Sequence, residues 1–153
     1  MKYSKNMNIE IFTAMLNSMN EGIYVVDSTG KNIFINDRAA NLFNIDSRDV
    51  IGKHLFETFP YLNEKTSTIF NVLKNKKPIL DCKQTVINYK GDEITTINST
   101  YPIIANGKIV GAFEIIRDIP TLDKTLKKLF PSKLPTPKSD KFCSNRSYYS
   151  FGD

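Results

Sequence analysis

The sequence predicts an α+β domain: a five-stranded antiparallel sheet with short helices on one face and a further helix at each end. Three observations carry this. Two short β-rich runs, Ile23 to Val26 and Ile33 to Ile35, flank Asp27-Ser-Thr-Gly30, turn formers in the order a hairpin needs. Three longer runs, Ile79 to Tyr89, Glu93 to Ile104 and Lys108 to Ile119, are separated by Lys90-Gly91-Asp92 and Asn106-Gly107. Between the two groups the apolar spacing is helical. A hairpin, then helices, then three consecutive strands give one antiparallel sheet with its helices inserted after the first hairpin.

The elements follow in order. Residues 1–7 are polar. Ile9, Phe12, Met15, Leu16 and Met19 then recur at three- and four-residue steps and form one apolar stripe. Asn20-Glu21-Gly22 ends this helix, with Gly22 as the stop. The stripe either packs on the domain's own sheet or forms a dimer seam; both readings stand, and they are compatible. Asp37 is expected to cap a helix through Ala39, Ala40, Leu42 and Phe43, and Asp46-Ser47 to start a short turn. His54 to Phe59 is a short helical piece stopped by Pro60. Asn63 or Thr66 begins a longer helix through Ile69, Phe70, Val72 and Leu73. It ends in Lys74-Asn-Lys-Lys77, cations suited to a helix C-terminus, and Pro78 prevents its continuation. Pro120 breaks the last strand, and Thr121 caps a helix carrying Leu122, Leu126 and Leu129 on one face. Pro131-Ser-Lys-Leu-Pro135-Thr-Pro137 reads as a linker. The organisation is therefore an amphipathic helix over 1–20, a domain over 21–119, a helix over 120–130 and a linker over 131–153.

Composition bounds the function. A chain of 153 residues with 41% hydrophobic and 24% charged residues suits one globular domain with short extensions. The formal charge of +5 comes from scattered lysines, which fit a solvated surface and a basic linker better than a groove-reading motif. Direct contact with nucleic acid is therefore not expected. No run approaches the ~20 apolar residues that span a membrane, and Met1-Lys-Tyr-Ser-Lys-Asn6 is no apolar leader. Cys82 and Cys143 lie in no CxxC pair. The economical expectation is a cytoplasmic protein with free thiols.

Specific segments carry a family resemblance. Gly22-Ile-Tyr-Val-Val-Asp27, Asn36-Asp-Arg-Ala-Ala-Asn-Leu-Phe43, Val50-Ile-Gly-Lys53, Tyr101-Pro-Ile103 and Gly111 to Ile119 resemble a PAS sensor domain, in the right order and over about two thirds of the chain. A second set, Lys65-Thr-Ser-Thr68, Val86 to Gly91 and Ile94 to Thr100, is similar to the N-terminal domains of sigma-54-dependent transcriptional activators of the Bacillus arginine-utilisation type. The tail, Ser147-Tyr-Tyr-Ser-Phe-Gly-Asp153, resembles the lead-in to the AAA+ ATPase domain of such activators. The resemblance implies signal transduction, transcription regulation and arginine catabolism. Its partners would be a second copy of the domain, attached AAA+ and DNA-binding domains, and sigma-54 RNA polymerase. The effector it implies is arginine, ornithine or citrulline. Two alternatives remain: a ligand-free PAS dimerisation module, and the sensor domain of a histidine kinase. The Pro-rich linker favours the activator, because a kinase usually continues the 120–130 helix unbroken.

The residues offer no catalytic constellation. His54 is the one histidine, no Ser/His/Asp set exists, and each glycine is isolated at a turn or strand start. No enzyme activity is expected of this chain. The family's flavin photochemistry uses a helical cysteine that His54 to Phe59 lacks, and its haem sites use a histidine that Asn63 to Lys77 lacks. Neither cofactor nor a metal is expected, and His54 reads as a surface or capping residue.

A pocket for a small polar metabolite remains. Strand side chains alternate faces. Matching Pro102 and Asp118 to the family pattern points the even positions inward: Gln84, Val86 and Asn88, then Ile94, Thr96, Asn98 and Thr100, then Ala112, Glu114 and Ile116. Six of these are polar, and each buried unpaired group costs ~1–3 kcal/mol, so they need partners. A polar ligand or ordered water would supply them. A slip of one residue would instead expose the whole set, and the odd face, with Ile97, Tyr101, Phe113 and Ile115, is apolar enough to be buried. The expected ligand set is Gln84, Asn88, Thr96, Asn98, Thr100, Glu114 and Ile116, with Phe43, Phe56 and Phe70 from the helices. Glu114 suits a cationic end. The expected dimer set is Ile9, Phe12, Met15, Leu16 and Met19.

Overall fold

The computed structural model describes residues 5–119 and Leu129. Helix α1 (Lys5–Asn17) leads into a hairpin of β1 (Gly22–Asp27) and β2 (Asn32–Ile35). Four short helices follow: α2 (Asp37–Phe43), α3 (Ser47–Val50), α4 (Leu55–Thr58) and α5 (Thr68–Asn75). Strands β3 (Ile79–Ile87), β4 (Glu93–Ala105) and β5 (Lys108–Asp118) complete one antiparallel sheet of order β2-β1-β5-β4-β3. The first strand thus pairs with the last. The expected helix after Pro120 and the linker lie outside the described residues, Leu129 excepted.

Local chemistry sets the boundaries. Asn106 and Gly107 both take positive φ, 52° and 74°, the two-residue turn that suits the twist of a hairpin. Asn36, rather than the expected Asp37, caps α2: its Oδ1 accepts from the Ala39 N–H at 3.0 Å, and Asp37 is the first helical residue. Neither Asn63 nor Thr66 starts α5. Their side chains close a turn on each other, Asn63 N–H donating to Thr66 Oγ1 at 2.9 Å and Thr66 N–H to Asn63 Oδ1 at 3.1 Å, and Ser67 is left as the cap. Strand β3 stops at Ile87 because Asn88 Oδ1 accepts from the Lys90 and Asp92 N–H groups and turns the chain. His54 caps α4 through Nδ1, which accepts from the Phe56 N–H at 3.1 Å.

The core lies between the sheet and α2–α5. Val26, Ala39, Leu55, Val72 and Ala112 are wholly buried there. Cys82 is also buried there. No residue of helix α1 is fully buried, and Thr13, Leu16 and Asn17 are half-buried, so most of its apolar stripe is uncovered within the chain. Phe12 is 63% exposed, and Ile9 and Met15 57% each. Its end is nonetheless tied down. The buried Asn36 Nδ2 donates to the Leu16 and Glu21 carbonyls, while its Oδ1 also accepts from the Ile23 N–H. One side chain thereby uses both donors, and its oxygen twice, to join α1, β1 and α2.

Candidate functional site

The inward register is as read from the sequence. Gln84, Val86, Ile94, Thr96, Asn98, Thr100, Ala112, Glu114 and Ile116 are all buried, and Asn88 is half-buried. The pairs Gln84–Thr96 and Thr100–Glu114 face each other directly, which places Gln84, Asn98 and Glu114 on diagonals across three adjacent strands. Diagonal neighbours lie within reach of long side chains.

The three converge. Asn98 Nδ2 donates to Gln84 Oε1 at 2.8 Å and to Glu114 Oε1, and Gln84 Nε2 donates to the same Glu114 oxygen at 3.4 Å. Asn98 Oδ1 is buried with no hydrogen-bond partner. Glu114 is 4% exposed, and no described lysine, arginine or histidine forms an ion pair with it. Burial pushes its carboxyl up from 4.5 to about 7, against the opposing pull of the Asn98 and Gln84 amides.

These groups line a cavity of about 30 Å³. Its floor is Gln84, Val86, Asn98, Glu114 and Ile116 from the sheet, and Tyr24 stands opposite Glu114 on β1. Its roof comes from the helical segment, chiefly Phe43, Phe59, Tyr61, Leu62 and Ile69. Phe59 holds the aromatic part together, with ring centroids 5.1 Å from Phe43, 5.8 Å from Tyr24 and 5.9 Å from Tyr61. The Tyr24 hydroxyl donates to Asn32 Oδ1, and Asn32 Nδ2 donates to Thr58 Oγ1 at 2.7 Å and to the Val50 carbonyl at 3.0 Å. Burial, and then the charge of Glu114, raise the Tyr24 phenol above its usual range. It serves as a neutral donor.

Five of the ten expected ligand residues line this cavity: Phe43, Gln84, Asn98, Glu114 and Ile116. The others stand elsewhere. Thr100 Oγ1 donates to Thr68 Oγ1 at 3.2 Å under α5, and Thr96 is buried in the sheet away from the cavity. Asn88 is held by its turn and by the Leu42 carbonyl at 3.2 Å. Phe56 and Phe70 lie against each other at 5.9 Å, with His54 on the Phe56 ring. Tyr24, Phe59, Tyr61, Leu62 and Ile69 were not in the expected set. For Tyr24 a signal existed, a phenol in the apolar run Gly22–Asp27; the rest depend on how the 59–69 segment folds back.

Comparison with known proteins places this geometry. A family model described as a PAS domain matches residues 20–120. The transcriptional activator RocR of Bacillus subtilis is 36% identical over 118 residues, 77% of this chain and 26% of the activator. The sensor histidine kinase DcuS of Escherichia coli is 31% identical over 116 residues, 76% of this chain and 20% of the kinase. The chain therefore spans between a fifth and about a quarter of these relatives. Among solved structures, the PAS domain of Bordetella pertussis BvgS superposes with a TM-score of 0.57 at 21% identity, covering 80% of this chain and 94% of that one. The Escherichia coli DhaR(N)-DhaL complex gives a TM-score of 0.60 at 21% identity, covering 74% of this chain and 37% of that one. At such identities the likeness concerns the fold.

Proposed function

Because this chain belongs to the PAS domain family, we propose that it is the metabolite-sensing module of a cytoplasmic sigma-54-dependent transcriptional regulator. It would bind a small polar effector, arginine, ornithine or citrulline, and control an attached AAA+ output domain acting on sigma-54 RNA polymerase. The 36% identity to a relative named as a transcriptional activator supports the regulatory part. The observation that carries the ligand part is the buried, cation-free Glu114 among the amides of Asn98 and Gln84, in a cavity otherwise lined mainly by apolar and aromatic residues. A packed structural core has no use for that carboxylate.

The cavity of about 30 Å³ holds about two waters, not an amino acid. Binding therefore requires the Phe59–Ile69 roof to move outward, and that displacement is the signal the module passes on. Neither flavin nor haem takes part, and this domain does not touch DNA. The module works as a homodimer through the exposed face of α1.

The 31% identity to a sensor histidine kinase keeps the kinase reading as the second one. The small cavity gives the ligand-free dimerisation module its support. A thermal-shift screen of arginine, ornithine, citrulline, lysine and neutral amino acids decides. A ligand at a hundred times its Kd adds ~2.7 kcal/mol, several degrees for a domain of this size. The expected result is a shift with at least one of the first three, lost in Glu114→Gln. A flat screen leaves the dimerisation module ahead.

A further inference from the structure

We infer that the cavity selects organic cations bearing N–H groups, a primary ammonium or a guanidinium, and that the bound cation replaces a proton on Glu114. This rests on the metabolite-sensing reading above and gives that site its ligand chemistry and a built-in pH dependence.

The cavity has no cationic group in its lining. Gln84 on β3, Asn98 on β4, Tyr24 on β1, Phe43 on α2 and the Phe59–Ile69 roof surround Glu114. The ionisable groups among them are phenols, Tyr24 and Tyr61, with Tyr89 beyond them. None supplies positive charge. Both amide donors converge on Oε1, and Asn98 Oδ1 has no partner at all. The site therefore presents acceptors. An anion would meet a carboxylate. A quaternary ammonium would meet the aromatic walls but leave the acceptors unsatisfied. An N–H cation satisfies the carboxylate and the Asn98 oxygen together, with charge-assisted bonds.

The proton follows from the same geometry. A buried carboxylate with no counter-cation takes up a proton, and here burial raises its pKa to about 7. The exchange is balanced: the neutral Glu114 carboxyl plus the cation gives the carboxylate–cation pair, and the released proton goes to solvent. Below pH 7 the proton competes. Affinity should be about tenfold weaker at pH 6 than at pH 8 and level off above.

Isothermal titration of the 153-residue chain with L-ornithine and L-arginine, in phosphate and in MOPS at pH 6, 7 and 8, tests this. At least one should bind, release about half a proton at pH 7 as the difference between buffers, and weaken about tenfold at pH 6. Choline and succinate should give no heat. Equal affinity at pH 6 and 8, no proton release, or binding of succinate or choline in place of the two cations would overturn the inference and leave metabolite sensing standing. No binding by any of the compounds, ornithine and arginine included, would overturn both. A ¹³C carboxyl titration without ligand isolates the proton step. Glu114 should titrate near 7, and a midpoint in the ordinary carboxylate range would refute the exchange whatever binds.

Discussion

Replacing Glu114 by Gln keeps the side-chain shape and the oxygen that accepts from Asn98 and Gln84, and it removes the charge. Its consequence for stability can be worked out before any ligand is known. The folded chain holds the Glu114 proton up to about 7, whereas the ordinary value is 4.5. Between those values the folded state binds more protons than the unfolded one, so stability falls as the pH rises through this window. The stabilising contribution is fully present below about 4.5 and fully lost above about 7. At 1.36 kcal/mol for each tenfold change in proton affinity, the wild-type chain should lose about 3 kcal/mol relative to Glu114→Gln between pH 4 and pH 8. Urea unfolding of both chains across that range is the assay. Taking the difference cancels every other titrating group, and it also cancels any constant cost of the new carboxamide donors. Parallel profiles, with the difference flat to within about 0.5 kcal/mol, would refute the claim that this carboxyl is buried without a cation.

Three further outcomes follow from the packing. Phe12→Asp with Leu16→Asp should convert a dimer into a soluble monomer by light scattering, because no residue of α1 is fully buried within its own chain; a wild-type monomer at high concentration would end the dimer reading. Asn36→Ala should cost about 2–4 kcal/mol in urea unfolding, since it orphans buried partners in β1 and α2 and a part-buried one in α1, and it should speed amide exchange at the end of α1. Gly111→Ala should destabilise by about 1–3 kcal/mol or more, because a Cβ there would overlap the Val26 carbonyl oxygen on the paired strand, and calorimetry should show the loss in Tm.

Most of the fold was legible because period and turn chemistry are local. Alternation left two parities open over 93–104; matching Pro102 and Asp118 to the family pattern chose between them, and that choice put Gln84, Asn98 and Glu114 inward together. Caps were less legible, since Asn36 and Asp37 are both good capping residues and only the bond to Ala39 separates them. Asn88 shares the inward parity of Gln84, yet its amide is taken by the turn it closes, a local competitor that alternation ignores. The roof was the least legible part. Phe59, Tyr61 and Leu62 reach the cavity through a turn built by Asn63 and Thr66, whereas Phe56, one helical turn from Phe59, faces Phe70 instead. Tyr24 required knowing that β1 pairs with β5, a contact some 90 residues apart in the chain that no short pattern encodes.

The most direct test of the account watches the two amides that hold Glu114. The side-chain NH₂ resonances of Asn98 and Gln84 can be followed in a ¹⁵N-labelled chain as L-ornithine or L-arginine is added at pH 8. Both should move saturably with at least one of these ligands, in step with the backbone amides of Phe59 to Ile69, and neither should move in Glu114→Gln. Saturable shifts confined to the outer face or α1, with Asn98 and Gln84 unmoved, would contradict it.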